Sequence, residues 1–343
     1  MSNQNFVTKL GFNRKGYDQI DASDTPSLVI TGKSQNLDCK IVNLKKKIPN
    51  LHHIKIGSER FSITQIDKII ESIAEINFEN VITFGGGSII DISKRFFKSI
   101  KNTNQSSKLI VIPTLIGSGA ESSMTSILNT KDKKIITSEE VQLPHTVIYD
   151  TEILKNIDSK EMVFGLIDSL THCIESMTSF LTNPYLNFFS SSTVNYFFKN
   201  VDYKKIISGE FDDNEIYKLC IVSFNGGLAQ NNAGAGICHA LSHAAESITK
   251  IRHTRCINYF LNGTIDFIEK NNSEYFKKQG ILELNNIRKI ANLSKENIES
   301  INSLDKIIKN QSLSEELIMT AKKDPCWRLF NLKGKKDNIL EYF

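Results

Sequence analysis

Asn80–Ile100 reads NVITFGGGSIIDISKRFFKSI, a β-branched run that enters three successive glycines and leaves as a helix carrying Asp91 and Lys94. Strand, glycine turn and helix in that order form the repeating unit of a βαβ sheet. Backbone N–H groups and the positive end of the helix converge at the turn, a point that attracts phosphate. Glycine suits it because a Cβ would hold a diphosphate away from the backbone. The loop has neither the GxGxxG spacing nor the Gly-Lys-Ser/Thr ending of two well-characterised nucleotide loops, so a plain strand-to-helix turn competes with phosphate binding. A second loop favours phosphate. After KLIVIP (Lys108–Pro113) comes TLIGSGAE (Thr114–Glu121), small and hydroxylated, at the carboxyl end of a strand where α/β sheets hold ligands.

Outward from this unit the rhythm continues, with SLVIT at Ser27–Thr31 and an amphipathic helix at Ile63–Ala74. A helix from Ile89 to Ile100 and TVIY at Thr146–Tyr149, after the charged turn Thr130–Lys134, complete it. The pattern predicts a mostly parallel sheet in an N-terminal α/β dinucleotide-binding domain spanning residues 1–157. From Ser159 onward apolar residues recur at three and four, without clear strand runs, which predicts an all-α C-terminal domain spanning 158–343. Ser208–Asn214 reads as an exposed loop, and Glu274–Glu315 as surface helices with their connections. With no repeat or linker, a ligand cleft between the domains is expected.

The chain's 343 residues suit two domains of about 100–200 each. Hydrophobics at 40% and charged residues at 23% exclude a disordered chain. Forty-two Lys and Arg against 38 Asp and Glu leave +4, too little to suggest nucleic acid. Apolar runs such as Leu109–Ile116 are far shorter than the ~20 residues of a membrane span, and MSNQNF lacks a signal-peptide core, so a cytoplasmic protein is expected. Six cysteines without a CxxC read as reduced packing residues.

Of the 7 histidines, three fall in two helical clusters. Asp168 and His172 are four apart in GLIDSLTHCIES, and His239 and His243 repeat the spacing in GAGICHALSHAAES, so each pair shares a helical face. One such pair alone is ordinarily a local charge pair. Two of them inside apolar, small-residue helices point further, because burying Asp168 without a partner costs several kcal/mol. With His253 of KIRHTR, one carboxylate and three neutral imidazoles give a donor set suited to Zn²⁺ or Fe²⁺ with a position left for substrate. On one unbroken helix His239 and His253 would stand ~21 Å apart. A helix break is therefore expected around Ser247–Arg252. His243, one turn beyond His239, should face substrate and not the metal. Cys173 and Cys238 should face packing, and His52, His53 and His145 the surface.

Taken together these segments resemble the iron-dependent (group III, metal-containing) alcohol dehydrogenases from about Ser27 to Asn262. The resemblance is carried by GGGSIIDISK (Gly85–Lys94), by PTLIGSGAE (Pro113–Glu121) for the family's PTTxGTGSE, and by IYDTEIL (Ile148–Leu154). It extends through DSLTHCIES (Asp168–Ser176) for DAxxHxxES and GGLAQNNAGAGICHALSH (Gly226–His243) for AGxxxxNxxxGxxHAxAH. It implies the fold shared with dehydroquinate synthases, metal ligation by Asp168, His172, His239 and His253, and His243 as the catalytic group beside the reacting carbon. It further implies nicotinamide-dinucleotide contacts from Gly87, Ser88, Thr114, Leu115, Ser118 and Lys134, with Gly86 and Asp91 in the same candidate site.

Departures from the family pattern refine the expectation. NAD-preferring members end their first strand on an aspartate that repels a 2′-phosphate; here Gly32 stands there, followed by Lys33 and Ser34, so NADP(H) should be accepted. Gln230 replaces a common aromatic, Thr125 and Ser126 occupy the segment lining the family's substrate site, and Arg252 and Arg255 flank His253. The resemblance thus implies an NAD(P)-linked, metal-dependent alcohol dehydrogenase or aldehyde reductase. Its substrate would be small and polar, with anions such as a phosphonoaldehyde or a sugar acid's terminal alcohol included. A homodimer or larger homo-oligomer is expected. The alternatives are a dehydroquinate-synthase-like metal- and NAD-dependent cyclase or lyase, and a non-catalytic metal- or nucleotide-binding relative. The former use glutamate with two histidines, against the Asp168 and three histidines here.

Overall fold

Six strands form one parallel sheet in a computed structural model that describes residues 9–13, 16–32, 37–57, 63–129, 134–281, 284–295, 301–331 and 336–343. Numbered in chain order, β1 is Lys9–Asn13, β2 Ser27–Gly32, β3 Leu51–Ile56, β4 Asn80–Gly85 and β5 Lys108–Pro113. A separate antiparallel hairpin follows, β6 Thr125–Asn129 with β7 Lys134–Ser138, and β8 is Thr146–Asp150. The sheet order is β1-β8-β5-β4-β2-β3. The chain steps outward from β2 to β3 and then returns to β4 on the other side of β2. The sheet therefore reverses direction between β2 and β4, and in open α/β sheets ligands bind outside the carboxyl ends of strands at such a reversal. Gly32 ends β2 and Gly85 ends β4.

The inner strands β4 and β5 are buried on both faces, which is why VITF and LIVIP are near-continuous apolar runs. One face packs Val81, Leu109 and Val111 against Phe96 and Phe97. The other packs Ile82, Phe84 and Ile112 with Leu44 and Ile148. Helices α1 (Asp38–Lys47), α2 (Ile63–Ser72), α3 (Gly87–Thr103) and the short α4 (Thr151–Leu154) belong to this unit, which runs Met1–Ile157.

Among the described residues of the second unit, Asp158–Phe343, no strand of the sheet appears. Its helices are α5 Ser159–Met177, α6 Pro184–Asn200, α7 Tyr203–Ser208, α8 Asp213–Ala233, α9 Ile237–Thr249 and α10 His253–Asn271. They continue as α11 Tyr275–Lys278, α12 Leu284–Lys295, α13 Ile301–Lys309, α14 Gln311–Ala321 and α15 Pro325–Leu329. Helix α5 is the axis of the unit, buried at every position from Met162 to Met177. At Gly226 α8 comes so close to α5 that a Cβ there would lie 2.7 Å from the Ser169 carbonyl oxygen. Among the described residues, no helix is long and apolar enough to cross a membrane.

Several expectations change. Strands β1 and β3 and the β6–β7 hairpin were not among the expected runs. Both β1 and β3 are edge strands, and LHHIKI of β3 is buried only at its ends, so its sequence does not alternate cleanly. His53 and His145 are half-buried, not surface groups: His53 Nε2 lies 2.8 Å from Thr31 Oγ1, and His145 Nδ1 accepts the Leu109 N–H at 3.2 Å. His52 is exposed. All six cysteines are free, and Cys173 and Cys238 are buried.

Candidate functional site

Helix α9 stops at Thr249, where Lys250 takes φ 64°, the one non-glycine residue at positive φ among those described. A side chain in that region costs roughly 1–2 kcal/mol. The turn falls inside the expected break and lets α10 start afresh at His253. His253 thereby returns to the level of His239, and α5 brings Asp168 to both.

Around Asp168 Oδ1 stand three imidazole nitrogens: His239 Nε2 at 3.3 Å, His172 Nε2 at 3.8 Å and His253 Nε2 at 4.0 Å. Asp168, His172 and His239 are buried, and the His172 and His239 rings stack at 4.5 Å. Among the described residues neither Asp168 Oδ1 nor His239 Nε2 has a hydrogen-bond partner. Buried polar atoms without partners cost about 1–3 kcal/mol each, so a cluster of them calls for an occupant. Donors ~2.1 Å from a tetrahedral ion lie about 3.4 Å from one another, and the distances to Asp168 Oδ1 bracket that value. Asp168, His239 and His253 present donor atoms within 4.8 Å of one another, while His172 approaches through Asp168 and the His239 ring and stands outside that tightest group. The donor set therefore fits a divalent cation.

Charge agrees with this reading. Burial alone would raise the Asp168 carboxyl, but His172, His239 and His253 outweigh it and hold the group at about 2. Burial pushes His172 down to about 4, which keeps its imidazole neutral. Burial also opposes charge on His239, yet Glu175 and Asp168 on either side raise it to about 10. A cation held at Nε2 would take the place of that proton.

Glu175 was not singled out from the sequence. It lies on α5 one turn past His172, and its carboxylate reaches the uncapped start of α9. There it accepts the Gly236 N–H at 2.7 Å, the Cys238 N–H at 2.6 Å and the Nδ1 hydrogen of His239 at 2.5 Å. One side chain thus caps a helix and turns His239 so that Nε2 faces Asp168. The residues 168, 172 and 175 form one stripe on α5, and this spacing is the sequence signal that could have found it.

His243 stands apart from the Asp168 cluster's closest contacts. Its ring stacks on His253 at 4.7 Å, and its Nδ1 lies 2.7 Å from Asp324 Oδ2. Burial would raise Asp324, but His243 and the Cys326 N–H overcome this and hold the carboxyl far below its ordinary value. Asp324 too was missed, since nothing local links residues 81 apart. Of the arginines flanking His253, Arg255 is tied to Glu161 at 2.5 Å and lies over the Phe164 ring, while Arg252 is mostly exposed. Gln230 is half-buried on α8.

The glycine loops lie in the first unit. Gly85 and Pro113 are register partners on β4 and β5, so the two loops leave neighbouring strands side by side. A Cβ on Gly87 would come within 2.9 Å of Ser118, and one on Gly86 would meet Leu115 at 3.4 Å. Gly86 caps α3 in extended backbone without a side-chain hydrogen bond to that end; the Ser118 and Leu115 side chains lie beside it, and Ser88 is exposed there. Gly117 and Gly119 adopt positive φ in the second loop, which Thr114 begins by donating its N–H to the Gly85 carbonyl.

Other expected site residues have tasks within the fold. Asp91 pairs with Lys94 at 3.8 Å. Lys94 is fully buried, its Nζ bonded to the Thr125 carbonyl and Ser123 Oγ, and burial lowers it to about 8 against the pull of Asp91 and Glu121. The Ser126 hydroxyl donates to the Asp91 carbonyl, and the Thr125 hydroxyl meets Ser138. The Ser126 and Lys94 bonds tie the hairpin to α3, and the Thr125–Ser138 contact joins its two strands. Gly32 sits at the carboxyl end of β2. Ser34 and the side chain of Lys134 lie outside the described residues.

A family model described as iron-containing alcohol dehydrogenase matches residues 18–151, and its C-terminal counterpart matches residues 162–320. The 4-hydroxybutyrate dehydrogenase of Clostridium kluyveri is 31% identical over 207 residues, 55% of this chain and 54% of that protein. The chain thus spans about half the length of that relative. The NADPH-dependent butanol dehydrogenase of Clostridium saccharobutylicum is 23% identical over 76% of this chain and 69% of its own. In fold, the chain resembles the sulfoacetaldehyde reductase of Bifidobacterium kashiwanohense, solved in complex with NAD⁺ (TM-score 0.80, 18% identity, covering 99% and 97% of the two chains).

Proposed function

Since this chain belongs to the iron-containing alcohol dehydrogenase family, we propose that it is a metal-dependent, NAD(P)-linked dehydrogenase or aldehyde reductase for a small polar substrate. The observation that carries the reading is the buried Asp168 oxygen facing three imidazole nitrogens at 3.3–4.0 Å. Asp168, His172, His239 and His253 would hold one divalent ion, and the same donors serve iron or zinc. Bound there, the ion supplies Lewis-acid polarisation of an alcohol or carbonyl oxygen. The nicotinamide supplies the hydride acceptor or donor.

The chain's own residues supply the rest. Glu175 orients His239. The Gly86–Ser88 turn and the Leu115–Gly119 loop beside it offer backbone N–H groups and the Ser118 hydroxyl to the cofactor's diphosphate. Gly32 leaves room for a 2′-phosphate, so NADP(H) is used as well as NAD(H). His243 relays the proton between substrate oxygen and solvent, a task an imidazole can perform because one ring nitrogen accepts a proton while the other holds one. An anionic substrate is favoured by the relatives that act on 4-hydroxybutyrate and sulfoacetaldehyde, and Gln230 offers a polar amide.

The test is an NAD(P)H absorbance screen of zinc- or iron-loaded protein over carboxylated, sulfonated and phosphonated aldehydes. Turnover on at least one of them should exceed that on butanal. Greater activity on simple alkyl aldehydes would overturn the substrate class, and no hydride transfer with any substrate would overturn the enzyme. In the same assay His243→Ala should lower turnover by roughly 100-fold with metal content unchanged.

Gly87→Ala probes the cofactor loops. Its methyl would push against Ser118 and part the two loops. NAD(P)H affinity should weaken roughly tenfold, about 1.4 kcal/mol, with the melting temperature little changed. A fluorescence titration giving the parent affinity would remove Gly87 from the diphosphate site.

A further inference from the structure

Asp324 lies between two bonds. Its Oδ1 accepts the Cys326 N–H at 2.9 Å, which caps the short helix α15, while Oδ2 faces His243 Nδ1 at 2.7 Å. The two side chains are 13% and 14% exposed, a depth at which water competes poorly for either end of the pair. A carboxylate can only accept, so the hydrogen of this pair belongs to Nδ1. The His243 ring also has two ring neighbours, stacked on His253 at 4.7 Å and perpendicular to His239 at 6.1 Å. Its plane and its tautomer are therefore both set by neighbours, and Asp324 sets the second of them.

We propose that Asp324 is the positioning residue of His243: by accepting the Nδ1 hydrogen it fixes the tautomer in which Nε2 is the nitrogen that exchanges protons. This rests on the reading of His243 as the proton relay. In the oxidative direction the alcohol oxygen gives its proton to Nε2 while the carbinol carbon gives a hydride, with its electron pair, to the nicotinamide. The imidazolium so formed shares its charge with Asp324 and then releases the proton to water, which restores the starting tautomer. Reduction runs the same transfers backwards. Asp324 touches neither substrate nor cofactor in this scheme and acts through the ring it holds.

The helix cap gives Asp324 a structural duty as well, so the test must separate the two. Asp324→Ser retains a hydroxyl able to cap α15 but has no carboxylate for the ring. In zinc-loaded full-length protein, ¹⁵N-edited NMR should show His243, assigned by the signal missing in His243→Asn, as the neutral Nδ1–H tautomer. In Asp324→Ser the signal should move toward Nε2–H, and kcat should fall roughly 50-fold with KM within twofold and metal content unchanged. Asp324→Glu should recover part of kcat. An Nε2–H tautomer in the parent protein overturns the proposal without recourse to any variant. So does an unchanged tautomer in Asp324→Ser. A shifted tautomer with parent kcat would leave Asp324 in its role and remove the relay. His243, Asp324 and Cys326 also present donor atoms within 4.8 Å of one another. A second tight zinc equivalent that disappears in Cys326→Ser would overturn the proposal, because an ion would then hold what the hydrogen holds here.

Discussion

His239→Ala is expected to purify with almost no bound divalent ion and to turn over at least about a thousandfold more slowly than the parent, roughly 4 kcal/mol of lost transition-state stabilisation. His239 approaches Asp168 most closely of the three imidazoles and is the one that Glu175 locks in place. Asp168 and His172 would then be two donors on one helix, with His253 at the edge of reach, a set too sparse to retain the ion against dilution. The fold should survive, because Glu175 keeps the N–H groups of Gly236 and Cys238. Metal analysis alongside an NAD(P)H assay decides the matter. A variant that keeps one equivalent of metal per chain would mean that the ion is held elsewhere.

Glu175→Gln should have the second largest effect, though Glu175 is not one of the donors facing the ion. The amide preserves the shape but turns an NH₂ group toward a donor that now meets a carboxylate oxygen. Either His239 Nδ1 or the start of α9 then loses its acceptor. Zinc affinity, read by competition with a chelator, should weaken 10- to 100-fold. Stability of the metal-free protein should drop by about 3–5 kcal/mol, since there the buried Glu175–His239 charged pair is broken from one side. If affinity and unfolding both match the parent, Glu175 neither orients His239 nor clamps α9.

The parts of the fold that could be read from sequence are those whose environment is uniform along the chain. NVITF and KLIVIP are buried on both faces and announce themselves as unbroken apolar runs. LHHIKI, at a sheet edge, satisfies half of its residues in solvent and polar contacts, so its strand character is hidden. In the candidate site the division is similar. Asp168, His172, His239 and His243 are visible because four-residue spacing puts each pair on one helical face, and the need to reunite His239 with His253 located the helix end. Glu175 and Asp324 act across 64 and 81 residues of chain, so their partners are set by how α5, α9 and α15 pack. Spacing cannot report that. The hydroxyls of Thr125 and Ser126 looked available on composition alone, and only their bonds to Ser138 and the Asp91 carbonyl reveal that they are spent on the hairpin.

The close approach of Gly226 to Ser169 leaves the buried axis of the helical unit no slack. A carboxylate and an imidazole are mounted on that axis, and Glu175 of the same helix clamps a third donor, His239, to it, so the three form a collar of set width. Such a collar cannot shrink or swell to choose among dications of similar radius. If that collar holds an ion, the element found in a preparation should follow what the cell or medium offered, and swapping it should alter reactivity while leaving the backbone superimposable.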